Sequence, residues 1–162
     1  MDNLEIPRGG TICLSKAGLA IGNSDKNDVD IAAPNGAGVD YAINGYLYHK
    51  ADAADIAVSV TDEDGTAVTT QADLTTCLYI AQLDSSGTLT FIKGTEVLTA
   101  QLTAGNKRLV WPSQTADTCV IGAIKIATSG TTFTFGTDDF DTAGITDTYY
   151  DLMTLPPNPR TS

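Results

Sequence analysis

The stretch that decides the fold is a β-hairpin phrase that occurs twice, 22 residues apart, with Asp62 and Asp84 at the same place in its two copies. The copies read Ala57-Val-Ser-Val-Thr-Asp62-Glu-Asp-Gly65-Thr-Ala-Val-Thr69 and Tyr79-Ile-Ala-Gln-Leu-Asp84-Ser-Ser-Gly87-Thr-Leu-Thr-Phe91. In each copy, stretches with the period-two alternation of β-strands precede and follow Asp-x-x-Gly-Thr. This arrangement is typical of two strands joined by a tight turn. We therefore predict two antiparallel hairpins whose Asp residues form turns.

The composition favours one folded domain built from strands and turns. The chain has 162 residues, of which 42% are hydrophobic and 18% charged, as in ordinary globular proteins. It has 17 Asp but only 3 Glu, and Asp favours turns whereas Glu favours helix interiors. Its 24 Thr residues are β-branched and suit half-exposed strands.

The spacing of strand and turn signals predicts an all-β fold, an antiparallel β-sandwich or barrel of about seven to eight strands with an extended N-terminal arm. The most apolar run, 118–127, is expected to be a central strand, and Phe133 and Phe135 share one face at period two. A single helical turn is expected at 97–102 or 138–143. The predicted strands are 39–50 with a turn or bulge at Asn44-Gly45, 55–61, 66–70, 75–83, 88–93, 107–111, 118–127, 131–135 and 148–155.

Changes in composition along the sequence predict three regions. Residues 1–38 are rich in Gly, Ala, Asn and Asp and carry too little apolar surface to fold alone, so they are expected to form an extended arm on a partner surface. Residues 39–155 are predicted to be the β-sandwich or barrel body. Residues 156–162 form a Pro-rich tail that cannot be helical.

The charge and hydropathy of the chain exclude several classes of partner. A net charge of −11 with only nine basic residues argues against nucleic-acid binding, which needs clustered Lys and Arg. No run approaches the roughly 18 apolar residues of a membrane-spanning helix. The first residues lack a basic and an apolar signal region, so we expect synthesis in a cytoplasm.

The sequence offers little for catalysis. The only histidine is His49, which alternation places on the face opposite to Tyr48 and which is expected to be a surface or interface residue. No nucleophile elbow, phosphate-binding loop or paired-histidine metal motif is present. A lone pair of carboxylates is the remaining route to catalysis. We expect a protein that is not an enzyme, with no catalytic residues and no cofactor.

Carboxylates and thiols suggest one weak metal site and no required disulfide. Asp138, Asp139 and Asp141 are close enough in sequence to bind Ca²⁺, although a solvated loop is the favoured interpretation. Cys77 and Cys119 lie in strand-like runs, and together with Cys13 they are expected to be buried thiols. A Cys77–Cys119 bridge stays open at this point.

Four stretches resemble a family of tailed-phage virion proteins, which are structural, capsid decoration or head-fibre proteins. The similarity covers about residues 39–156 and rests on packing and turn residues. The stretches are Val39-Asp-Tyr-Ala-Ile-Asn-Gly-Tyr-Leu-Tyr-His-Lys-Ala-Asp52, Ile121-Gly-Ala-Ile-Lys-Ile-Ala-Thr128, Thr132-Phe-Thr-Phe-Gly-Thr137 and Gly144-Ile-Thr-Asp-Thr-Tyr-Tyr-Asp-Leu-Met-Thr-Leu-Pro156.

The resemblance implies a capsid decoration or cement protein on the outer surface of the virion head. Its partner would be the major capsid protein, and the protein would be a homo-oligomer, plausibly a trimer. We expect the contacts to come from outer strand faces and from arm residues, namely Ile6, Arg8, Ile12, Leu14, Leu19 and Ile21.

Two alternatives remain open. The chain could be a glycan- or receptor-binding module of a head or tail fibre, with Tyr46, Tyr48 and Trp111 as aromatic residues that stack on sugar rings. It could also be a tail or neck component, which would have the same composition.

Overall fold

The computed structural model describes residues 10–152, so Ile6, Arg8 and the tail at 156–162 lie outside the described residues. The described chain is mostly β, and its only helix is a five-residue segment. The strands are β1 (Ile12–Cys13), β2 (Leu19–Ile21), β3 (Val29–Ile31), β4 (Val39–Ile43), β5 (Tyr46–Lys50), β6 (Ala53–Ile56), β7 (Ser59–Asp62), β8 (Thr75–Asp84), β9 (Leu89–Lys93), β10 (Val97–Leu98), β11 (Thr118–Thr128) and β12 (Ile145–Asp151), with α1 (Thr99–Thr103) between β10 and β11.

The strands form three sheets and no closed barrel. The large sheet has the order β12-β11-β8-β9-β7, with β10 also paired to β8, and the small sheets have the orders β1-β4-β5 and β2-β3-β6. All pairs are antiparallel except β7 with β9, which are parallel. The prediction of a mainly β fold is confirmed. Residues 10–152 contain more strands than predicted because several have only two to four residues, too few to show alternation in sequence.

The repeated phrase forms one complete hairpin and one incomplete hairpin. In the second copy β8 and β9 pair with Leu83 opposite Leu89, and the Gly87 N–H donates to the Asp84 carbonyl oxygen at 3.1 Å. In the first copy the Gly65 N–H makes the same bond to Asp62 at 2.9 Å. Only a single bridge then follows the turn, so the predicted strand at 66–70 is wrong. The strand that does form, β7, pairs with β9 instead.

The described part of the predicted arm, residues 10–38, is built into the fold. Strand β1 pairs with β4, and β3 pairs with β6. Leu19, Val29 and Ile31 are at most 6% exposed and lie in the main core. The expectation of a separate extended arm is therefore corrected for these residues. Their few apolar side chains do need a partner surface, but the rest of the same chain supplies it.

The core lies on both faces of the large sheet, whose central strands β8 and β11 are buried along nearly their whole length. One face carries the main cluster, in which the Phe135 ring contacts Tyr79, Phe91, Phe133 and Phe140 at centroid distances of 4.6 to 6.0 Å. The central position predicted for 118–127 is confirmed by β11, which lies between β8 and β12.

The other face of the large sheet carries a second cluster of Ile80, Ile92, Val120 and Ala123, on which Trp111 packs. Trp111 belongs to the segment 107–111, which was predicted to be a strand. The prediction is wrong, because this segment forms no strand in the structure. The predicted strand 131–135 is also wrong, because Phe133 makes only one isolated bridge, to Gln71. Side-chain packing holds both segments, together with the two backbone bonds between Phe133 and Gln71, and period-two alternation does not distinguish such packing from strand pairing.

The predicted turn at Asn44-Gly45 is confirmed and joins β4 to β5. Asn44 has φ of +51° and Gly45 has φ of +83°, the positive values that a type I′ turn requires at both central residues. Ile43 is opposite Tyr46, so the loop contains only these two residues. The tight turn fixes the register of β5, and the register fixes which β5 side chains point away from the core.

Candidate partner-binding surface

An apolar row crosses the outward side of the sheet β1-β4-β5. Ile12 lies opposite Ala42, and Ala42 lies opposite Leu47, so the three side chains stand next to each other on three adjacent strands. Directly opposite residues on a sheet have Cβ atoms about 4.5 to 5.5 Å apart. We call this outward side, with Ile12, Leu14, Asp40, Ala42, Leu47 and His49, the β1-β4-β5 face.

The apolar side chains of this face are open to solvent. Leu47 is 75% exposed, Leu14 is 42% exposed and Ile12 is 38% exposed. Ala42 is only 5% exposed because its larger neighbours flank it on both sides. Single exposed apolar residues are ordinary, but a contiguous group on one rigid sheet is typical of an interaction surface.

A polar pair borders the apolar row. Asp40 and His49 are directly opposite each other, and the His49 Nδ1 atom lies 2.7 Å from the Asp40 Oδ1 atom. The Asp40 carbonyl oxygen accepts a hydrogen bond from the Leu14 N–H at 2.8 Å, and the Ser15 hydroxyl accepts one from the Asp40 N–H at 2.8 Å. These bonds hold Leu14 beside the pair.

The inward side of the same sheet is fixed by stacked tyrosines. The Tyr41 and Tyr48 rings lie 5.6 Å apart at 26°, and the Tyr41 hydroxyl donates to the Asp84 carbonyl oxygen at 2.8 Å. Burial, followed by the nearby Asp84 carboxylate, raises the pKa of Tyr41. His49 does lie on the face opposite to Tyr48, as its alternation predicted. The β1-β4-β5 face is therefore the side of this sheet that is open to solvent.

The residues predicted for partner contact divide into two groups. Ile12 and Leu14 lie on the β1-β4-β5 face. Leu19 is 6% exposed in the main core, so it is not available to a partner, whereas Ile21 packs partly buried against the same core. Sequence reasoning missed Leu47, although its alternation with Tyr46 and Tyr48 places it on the side of His49.

The three aromatic residues proposed for stacking on a ligand have different environments. Tyr46 is 72% exposed next to the β4–β5 turn and could contact a ligand. Tyr48 is half-buried against Tyr41, and Trp111 is half-buried on the second cluster. The Trp111 indole N–H is buried without a hydrogen-bond partner among residues 10–152. Only Tyr46 is therefore presented to solvent as a sugar-stacking residue requires.

The three candidate calcium ligands are not gathered into a site. The Asp138 carboxylate accepts a hydrogen bond from the Thr134 N–H at 2.6 Å and so closes a turn. Phe140, which is 1% exposed, inserts into the core between Asp139 and Asp141. Within the described part of the chain no three His, Cys, Asp or Glu side chains are placed to hold a metal ion.

An open groove of about 460 Å³ lies beside the first Asp-x-x-Gly turn, and the polar groups around its buried lysine bond to one another within the chain. Its lining includes Asp62, Asp64 and Lys93, which is only 4% exposed. The Lys93 Nζ atom donates to the Thr69 carbonyl and hydroxyl oxygens at 2.9 Å each and to the Glu96 carboxylate at 2.6 Å. All three N–H groups are thus used within the chain, which accounts for burying the charge.

The cysteines are free thiols, which resolves the question of a bridge. Cys119 is opposite Leu83, six positions along β8 from Cys77, or about 20 Å at the usual rise per residue. A disulfide needs Cα atoms within roughly 7 Å, so this pair cannot be joined. Both are at most 1% exposed, as predicted, and burial raises the pKa of each thiol to about 12.

Comparisons with protein-family models, with curated proteins and with solved structures found no match. Within residues 10–152 no helix has both the length and the apolar character needed to cross a membrane.

Proposed function

We propose that this chain is a non-enzymatic structural protein of a tailed-phage virion, a decoration or cement protein that binds the major capsid protein on the outer head surface. The observation that carries the proposal is the contiguous apolar row of Ile12, Ala42 and Leu47 on a rigid sheet. The resemblance of residues 39–156 to that family supports the choice of partner.

The composition of the surface agrees with this role. A protein displayed on a shell filled with DNA should not bind the nucleic acid, and a net charge of −11 disfavours that contact. An interface needs an apolar centre with a polar border, and the Asp40–His49 pair provides such a border next to Leu47. No part of the role requires a cofactor.

Binding of purified protein to capsids that lack it tests the proposal. Leu47→Asn should reduce occupancy severalfold at a fixed subsaturating concentration, because the side chain is 75% exposed and its loss costs interface contacts rather than core packing. Val110→Asn, at a position that is 63% exposed elsewhere on the molecule, is the matched control and should bind as the natural protein does. Equal occupancy for both variants would contradict the assignment of the β1-β4-β5 face, and absence of binding by the natural protein would contradict the capsid role.

A glycan- or receptor-binding module of a fibre is the second candidate, and the exposure of Tyr46 favours it. A glycan array probed with the natural protein and with Tyr46→Ala separates the two functions. A sugar ligand that is lost on Tyr46→Ala would support the fibre module, whereas an array without a ligand, together with stoichiometric capsid binding, would exclude it.

A further inference from the structure

Strand β5 forms the edge of its sheet and presents unpaired backbone groups. The two-residue turn makes Ile43 and Tyr46 a hydrogen-bonded pair, so Tyr46, Tyr48 and Lys50 direct their N–H and C=O groups toward β4. Leu47 and His49 must then direct theirs away from the sheet. The bond from the Leu14 N–H to the Asp40 carbonyl oxygen confirms this alternation, because Asp40 is opposite His49 and bonds to β1 rather than to β5.

Nothing in the described chain occupies that edge. No backbone or side-chain group of residues 10–152 bonds to the outward N–H and C=O groups of Leu47 and His49. The edge contains no proline and no bulge, two of the devices that prevent strands from pairing, although it ends in Lys50, and a charged side chain is a third. Tyr46 and Leu47 are also among the most exposed large side chains, at 72% and 75%.

We infer that a second copy of this chain pairs with the β5 edge, antiparallel and about a two-fold axis at Tyr48, to form a continuous six-stranded sheet. This register places Leu47 opposite His49 of the partner subunit and satisfies every outward backbone group, with four hydrogen bonds across the axis. Registers centred on Leu47 or on His49 would satisfy only the groups of one of these residues. The number of unpaired groups therefore selects the register.

The side chains of β5 complement those of the second copy in the same register. The strand is cationic at its end, with Lys50, and neutral and aromatic at its start, with Tyr46. An antiparallel copy places each Lys50 opposite a tyrosine ring of the other subunit, where an ammonium group is attracted to the π face. The two Lys50 residues remain four positions apart along the strands, about 13 Å, which exceeds the roughly 8 Å screening length at physiological salt.

The expected dimer is weak and depends on salt. One five-residue edge is small compared with the roughly 800 Å² that each partner contributes to a standard interface. Each subunit also carries a net charge of −11, so added salt should strengthen association by screening the repulsion. The resemblance implied an oligomer and plausibly a trimer, whereas the β5 edge supports a pair. The inference does not rest on the capsid proposal, and either can fail alone.

Sedimentation of the full chain, from low micromolar to millimolar concentration, tests the inference with a charge-swap series. Tyr46→Lys places a lysine opposite each Lys50 of the partner subunit and should raise the dimer dissociation constant by roughly tenfold. The double variant with Tyr46→Lys and Lys50→Glu places opposite charges at the same two positions and should restore it. Val110→Lys adds the same charge elsewhere and is the control, and the circular dichroism of every variant should match that of the natural protein.

Three results would overturn the inference. The natural protein could remain a monomer of 16.9 kDa throughout the concentration range. It could form a trimer or another assembly without a two-fold pair. It could also form a dimer on which Tyr46→Lys has no more effect than Val110→Lys, or which Lys50→Glu does not restore.

Discussion

Replacing Gln71 by methionine tests the buried polar network that joins the main core to β8 and β11. Gln71 is 0% exposed, and its side-chain amide donates to the Thr75 and Ile126 carbonyl oxygens at 3.3 and 3.2 Å. Its carbonyl oxygen accepts the Tyr79 hydroxyl at 3.1 Å. Methionine has nearly the same length but makes none of these three hydrogen bonds, while the backbone bonds between Gln71 and Phe133 remain.

The magnitude follows from the number of bonds and from the groups left behind. Three hydrogen bonds at about 1 kcal/mol each give about 3 kcal/mol, and the buried Tyr79 hydroxyl without a partner adds about 1 to 2 kcal/mol. Gln71→Met should thus lower the free energy of unfolding by about 4 kcal/mol. Gln114→Met, at an exposed site whose side chain makes no hydrogen bond in the described chain, is the matched control and should change it by less than about 0.5 kcal/mol.

A double-mutant cycle with Tyr79→Phe gives the sharper measurement. Alone, Tyr79→Phe leaves the Gln71 oxygen unpaired and should cost about 1 to 2 kcal/mol. In the Gln71→Met protein it removes a hydroxyl that already lacks a partner and should cost nothing or restore stability. The expected coupling energy is about 2 kcal/mol.

Urea unfolding, followed by fluorescence of the single Trp111 and by circular dichroism, measures all four proteins. Comparable dependence on urea across the set would show that the mutations act on stability rather than on the unfolded state. The reasoning is refuted if Gln71→Met costs less than about 1 kcal/mol, or if Tyr79→Phe costs the same in both backgrounds.

Four further predictions concern packing at two sites, the thiols and acid stability. Phe135→Ala empties the centre of the aromatic cluster and should cost about 3 to 5 kcal/mol in the same urea assay. Gly122→Ala would place a Cβ 2.4 Å from Leu19 Cδ1 and 2.6 Å from a backbone carbonyl oxygen, so it should cost about 1 to 3 kcal/mol, whereas Gly10→Ala meets no atom within 4 Å and should cost little. The three buried thiols, whose pKa values are raised to about 11 or 12, should be inert to a thiol reagent in native protein at neutral pH and titrate fully in denaturant; rapid labelling of any native thiol would contradict their burial. The hydroxyl of Ser86, followed by the backbone N–H groups of Thr88 and Ser86, lowers the pKa of Asp84 below its ordinary 3.8, so its stabilisation is complete above that value and is lost as the pH falls through the lowered pKa. Asp84→Asn should therefore reduce the loss of stability between pH 4 and pH 2, by less than about 1 kcal/mol because the carboxylate is partly exposed and screened by solvent, and an unchanged acid profile would contradict the assignment.

Features set by neighbouring residues were predictable from the sequence. A turn or bulge at Asn44-Gly45 was predicted from this residue pair, and the structure shows a type I′ turn, because few residues accept positive φ at both central positions. The β8–β9 hairpin was predicted from the Asp-x-x-Gly-Thr phrase between two strand-like stretches, and the central strand β11 because 118–127 is the most apolar run. His49 was placed correctly on the face of the sheet opposite to that of Tyr48. The same alternation would have placed Leu47 on the outward face beside His49.

The main error in the prediction concerned which part of the molecule covers the apolar side chains of residues 10–38. Residues 10–38 have too few apolar side chains to fold alone, and the sequence could not show that β4 and β6 provide the missing surface. For the same reason Leu19 was assigned to a partner interface although it is buried in the main core. Contacts between residues far apart in sequence leave no periodic signal, because each depends on a meeting of two segments that local preferences do not encode.

By itself the sequence determined that this protein is built from strands and tight turns, because alternation and turn residues act through adjacent positions. It also determined a net charge of −11, since net charge is independent of folding. Only the tertiary structure decided that the two Asp-x-x-Gly-Thr phrases meet through parallel β7 and β9, and that Ile12, Ala42 and Leu47 form one exposed row. The register between strands distant in sequence produces both features, and it is fixed by the packing of the whole core.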